Sequence, residues 1–77
     1  MITVQELREK LGLTHTEFCD LLGIKKSAYY NKINGLNDWT FTELRILLDL
    51  KRKNRIKGDL TVSKDGINYK VSIKEIA

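Results

Sequence analysis

Two hydrophobic periods divide the chain. From residue 4 to about residue 54, apolar positions recur every three or four residues, the spacing of helices that bury one face. From residue 60 the period falls to two. Leu60, Val62, Ile67, Tyr69, Val71 and Ile73 alternate with Thr61, Ser63, Asn68, Lys70 and Ser72, the pattern of half-buried strands. A helical body followed by a strand pair is the expectation.

The punctuation refines it. Thr3, Thr14 and Thr40 are each followed three residues later by Glu6, Glu17 and Glu43. In such a capping box the Thr hydroxyl and the Glu carboxylate satisfy orphan helix amides reciprocally. Each box is bracketed by an apolar staple: Ile2 with Leu7, Leu13 with Phe18, Trp39 with Leu44. Helices are therefore predicted to begin near residues 4, 15 and 41. Gly12, Gly23 and Gly35 stand where helix ends favour a left-handed backbone. A further short helix then spans Lys26 to Asn34, starting after Lys25, which is not a capping residue. The fourth helix runs from Phe41 to about Arg52 or Asn54, with Gly58 closing it. Asp65-Gly66 between two alternating runs is a strong hairpin signal. A two-residue turn sets Val62 opposite Tyr69 and Leu60 opposite Val71. An isolated hairpin is unstable in water, so its apolar face must cover these helices or another chain.

The predicted fold is mainly α with a small β element: a four-helix unit over residues 1–57 and a C-terminal β-hairpin over residues 58–77, in one compact unit. Seventy-seven residues allow one domain with a limited core. The net charge of +4 favours an anionic partner, nucleic acid or a membrane surface, without choosing between them. With a single cysteine, Cys19, no intrachain disulfide forms, and a reducing cytoplasm is the expected location. The N-terminal residues lack the apolar stretch of a signal peptide, and no run approaches a membrane span. One His, one Cys, no Gly-rich phosphate loop and no carboxylate pair at useful spacing argue against an enzyme, a metal site or a cofactor.

The helices near 15–22 and 26–34 are joined by Gly23-Ile24-Lys25, a helix-turn-helix in which glycine permits the sharp reversal. Cys19 falls at the facing position of the first helix, where a small side chain lets the two approach. From Leu11 through Gly35 the sequence resembles the phage repressor and Cro class of helix-turn-helix regulators, in Thr14, Glu17, Cys19, Gly23-Ile24, Ser27 and Asn34-Gly35. Residues 2–50 follow the class more loosely. Ser27-Ala28-Tyr29-Tyr30 and Trp39-Thr40-Phe41-Thr42-Glu43-Leu44 are similar to regulators of Gram-positive phages and mobile elements. The resemblance implies a lambda-repressor-like domain, but the class completes its domain with a fifth helix and this chain has a hairpin there.

The resemblance also implies roles. His15 and Thr16 stand at the start of the first motif helix, which clasps DNA backbone. Lys26, Ser27 and Asn31 match the groove-facing positions of the reading helix; Asn suits the N6 and N7 of adenine, Lys the O6 and N7 of guanine. Lys25, Asn34 and Asn37 match flanking positions that hold phosphate, although turn and cap chemistry explains the two asparagines equally well. Tyr29 matches a buried position, and Ile33, four residues on, shares its face. Tyr30 then faces outward toward phosphate or a thymine methyl, and Lys32 is expected on the surface. Residues 24–37 contain Lys25, Lys26 and Lys32 and no acid. Lys51, Arg52, Lys53 and Arg55 are further candidate phosphate contacts, or cations that oppose a helix dipole.

One reading helix covers few base pairs, so double-stranded DNA would be bound by a homodimer, with the hairpin as candidate interface and half-sites about 34 Å apart. Two other readings stand beside a transcriptional regulator: a recombination or excision accessory factor, and an interaction module that binds a repressor or another phage protein.

Overall fold

The computed structural model describes residues 1–71; Ile73 and the rest of the expected second strand lie outside them. Those residues form four helices and a three-stranded sheet. The helices are α1 (Val4–Leu11), α2 (His15–Leu22), α3 (Lys26–Ile33) and α4 (Phe41–Lys53), and the strands are β1 (Ile2–Thr3), β2 (Leu60–Lys64) and β3 (Ile67–Lys70).

All three capping boxes form. Thr3, Thr14 and Thr40 each accept from the amide three residues on and receive the carboxylate in return, at 2.8 to 3.2 Å. Gly12, Gly23 and Gly35 follow α1, α2 and α3 at φ 71°, 72° and 80°. The fourth closure departs from expectation. Arg55, not Gly58, takes the left-handed position after α4, at φ 54°. Its amide donates to the Arg52 carbonyl at 3.1 Å and the Ile56 amide to the Lys51 carbonyl at 3.0 Å, so the helix is already closed three residues before the glycine. Gly58 instead carries the chain past Ile2, whose Cγ2 would lie 3.2 Å from an added Cβ.

The hairpin has the expected register, with Val62 opposite Tyr69 and Thr61 opposite Lys70. Asp65 and Gly66 both have positive φ, the geometry of a two-residue turn that suits strand twist. The hairpin packs on its own helices at its base. Leu60 is fully buried, and Val62 and Val71 lie partly covered against the core. Ile67 and Tyr69 near the tip stay about half exposed. β1 is not legible in the periodicity: Ile2 and Thr3 pair in parallel with Leu60 and Thr61, making β2 the central strand. The Thr61 hydroxyl donates to the Ile2 carbonyl at 3.2 Å, which explains a buried threonine on the face expected to be polar.

The five largest fully buried side chains come one from each main element: Leu7 of α1, Phe18 of α2, Tyr29 of α3, Leu47 of α4 and Leu60 of β2. Burying each of the Leu and Phe side chains among them stabilises by roughly 1.5–3 kcal/mol. Helices and hairpin thus share one core. No helix among the described residues is long and apolar enough to cross a membrane.

Candidate nucleic-acid interface

α3 is held from behind by two different devices. The first is aromatic. Tyr29 points inward and its ring meets those of Phe18, His15, Tyr30 and Trp39 at centroid distances of 5.8, 5.8, 5.6 and 6.3 Å. Burial pushes its phenol pKa up, opposed by the nearby Arg8 guanidinium. The Tyr29 hydroxyl and Arg8 Nε are both buried without a hydrogen-bond partner, while Arg8 Nη1 donates to the Leu13 carbonyl at 2.7 Å.

The second device overturns an expectation. Lys32 is not on the surface but buried, with its Nζ 2.5 Å from Glu43 Oε1 and 5.6 Å from the centre of the Trp39 ring. The same carboxylate oxygen accepts from the Thr40 amide at 2.9 Å. Glu43 therefore caps α4 and pins α3 at once. Burial alone raises the carboxyl pKa; the bonds from Lys32 and Thr40 outweigh that and hold it below its ordinary value. Ile33 takes a partly covered place against the core.

With those residues turned inward, Lys25, Lys26, Ser27, Tyr30, Asn31 and Asn34 are exposed. α2 presses its start against the same helix: the half-buried His15 ring lies 5.6 Å from that of Tyr30, with exposed Thr16 beside it. Cys19, buried behind them, has its thiol pKa raised by burial and by Asp20, against an opposing pull from Lys26. A thiol held protonated in the interior acts as a small apolar spacer rather than a nucleophile.

The N-terminus of α3 differs from the other three. Lys25 makes no side-chain cap, whereas α1, α2 and α4 each begin in a complete capping box. Its first amides thus lack a side-chain acceptor, and two lysines stand beside them. Amides and cations at one helix start favour an anion. Burial of Lys32 leaves Lys25 and Lys26 as the exposed cations between residues 24 and 37, still with no acid among them.

After α3 the chain turns through Gly35. Asn31 accepts at its carbonyl from the Leu36 amide at 2.8 Å and the Asn37 amide at 3.2 Å. Leu36 is a residue that pattern reasoning passes over. The equivalent residues after the other helices, Leu13, Ile24 and Ile56, pack against the core; Leu36 is 73% exposed between Asn34 and Asn37. Its signal in the sequence, an aliphatic residue just after a helix-closing glycine, is shared with Leu13 and Ile24, which pack, so only the structure separates it.

The basic run lies at the opposite end of α4 from this turn. Asn37 precedes the start of α4, while Lys51 to Arg55 lie at its far end, about 18 Å along the axis at 1.5 Å per residue. There Arg52 and Lys53 reach Asp49 at 2.5 and 3.7 Å. Near the α3 turn, Lys64 of the hairpin pairs with Asp38 at 3.4 Å. No protein family, curated protein or solved structure matches the chain.

Proposed function

We propose that the chain binds duplex DNA sequence-specifically through α3, as a small helix-turn-helix regulator similar to the repressor and Cro class, with a lambda-repressor-like helical unit. One observation carries the reading. α3 alone starts without a side-chain cap, and its outward residues, Lys25, Lys26, Ser27, Tyr30, Asn31 and Asn34, are polar or aromatic and free of acid. The inward residues of the same helix are locked by Tyr29 and by the Lys32–Glu43 pair. A rigid helix offering such a face suits the major groove. Lys25, Lys26 and the open amides then serve phosphate, and Asn31 serves a base edge.

Selection of bound sites from random duplex DNA tests this. The expected product is an enriched motif with two-fold symmetry. Asn31→Ala should then relax preference at one or two positions, at about 1–3 kcal/mol. An unchanged motif in that variant removes Asn31 from the readout, and no enrichment at all sinks the reading. Enrichment of direct repeats would indicate the recombination accessory role instead.

A further inference from the structure

We propose that the end of α4 is a second phosphate-binding surface, formed by Lys51, Arg55 and Lys57; it rests on the duplex-DNA reading above. Three observations converge on it.

Asp49 divides the basic run. It holds Arg52 and Lys53, whereas Lys51, Arg55 and Lys57 have no acidic partner among the described residues. The next acid along the chain, Asp59, is taken by Lys70 at 3.5 Å.

Backbone geometry supplies the second observation. At the position where α1, α2 and α3 are each followed by glycine, α4 is followed by an arginine held at φ 54°. L side chains are strained there, and glycine is not. Helix-end stability therefore favours glycine at 55. A cation opposing the helix dipole belongs in the last turn, where Lys51 already stands, and Arg55 and Lys57 lie beyond it. The left-handed turn places Arg55 just past the helix end, in sequence between Lys51 and Lys57, which pair with no acid among the described residues.

Placement is the third. The patch lies at and beyond the C-terminal end of α4, a helix about 18 Å long at 1.5 Å per residue, whereas the α3 turn precedes its start. It engages phosphates other than those near Lys25 and Lys26. Three cations without base-reading neighbours recognise backbone charge and not sequence.

The experiment compares the intact chain with Arg55→Gly and with Lys51→Gln/Arg55→Gly/Lys57→Gln. Thermal melting is read beside fluorescence anisotropy on a mixed-sequence duplex over a range of salt. Arg55→Gly should melt higher than the unmodified chain yet bind less tightly. Its salt dependence should flatten by about 0.9 in log–log slope, and that of the triple variant by about 2–3. Sites selected from random DNA should stay the same in both. Higher melting with unchanged slopes in both variants overturns the proposal and leaves the α3 reading intact. Failure of the unmodified chain to bind any duplex at low salt overturns both. Duplex length identifies the source of the phosphates. A slope difference that disappears on a duplex trimmed to the selected site assigns flanking backbone. A complex of two duplexes per chain, lost in the triple variant, assigns a second duplex.

Discussion

Lys32 and Glu43 meet in the interior with each side chain about 10% exposed, so their interaction is little screened. Removing one partner of a buried pair leaves an uncompensated charge, at about 3–5 kcal/mol. Lys32→Met should therefore destabilise strongly in urea unfolding, while Lys32→Met/Glu43→Gln should recover most of the loss, since Gln can keep the capping box without a charge. Equal losses in the single and double variants would show that the pair does not act as a unit. The sign with pH follows from the depressed Glu43 pKa. Its contribution is present above the unfolded carboxylate value, about 4.3, and is lost as pH falls through the lower folded value. Unfolding midpoints should fall more steeply with acid in the unmodified chain than in the double variant. Sequence periodicity places Lys32 outside because charged residues are almost never buried unpaired. Its partner lies eleven residues on, in a Glu whose local signature already accounts for it as a cap.

Among elements, legibility follows the range of the forces involved. The capping boxes and the Asp65-Gly66 turn are local chemistry, and each helix start and the hairpin register follow from residues a few positions apart. β1 is not local. Two residues make a strand only because β2 presents an edge to them, so no pattern within residues 1–5 announces it. α3 was legible in position through Gly23 and Gly35, but not in the burial of Lys32 beside the partly covered Ile33. Gly35 also joins two elements. An added Cβ there would meet Asp65 N at 3.2 Å, Lys64 Cα at 3.3 Å and Ser63 Oγ at 3.3 Å, while at Gly23 it would meet nothing within 4 Å. Both positions carry left-handed strain of roughly 1–2 kcal/mol for alanine. Gly35→Ala should lose about 1–3 kcal/mol more than Gly23→Ala through overpacking against the hairpin tip. Amide hydrogen exchange over residues 61–70 should accelerate in the first variant alone; equal protection in both would mean that the tip does not bear on α3.

At the scale of the molecule, one copy measures 29 × 25 × 21 Å. Half-sites about 34 Å apart are out of reach of one reading helix, so a symmetric site calls for two copies. Under the proposed DNA-binding reading, the hairpin is the candidate surface to join them. β3 is an edge strand on which all four residues are exposed, with Ile67 and Tyr69 among them. Edge strands with apolar side chains pair readily with a second edge. Sedimentation over a concentration series should show a monomer–dimer equilibrium that Ile67→Lys/Tyr69→Lys shifts to monomer. A monomer throughout, both free and on a selected site, would sink the dimer. The charge pattern at this scale was only half legible: the acid-free stretch of residues 24–37 is plain in the sequence, but the division of the basic run by Asp49 needs coordinates.

The parallel pairing of Ile2 and Thr3 with Leu60 and Thr61 also sets an order of assembly. The paired segments lie 58 residues apart, and bringing such distant points together carries a loop-closure entropy that neighbouring helices do not face. Helical turns form within about a microsecond, whereas non-local pairing is slow. α2 and α3 are also synthesised well before Leu60, the core side chain contributed by the central strand. A nascent chain therefore displays its helix pair on an unfinished core, which is completed only when Leu60 arrives and β2 pairs with Ile2 and Thr3.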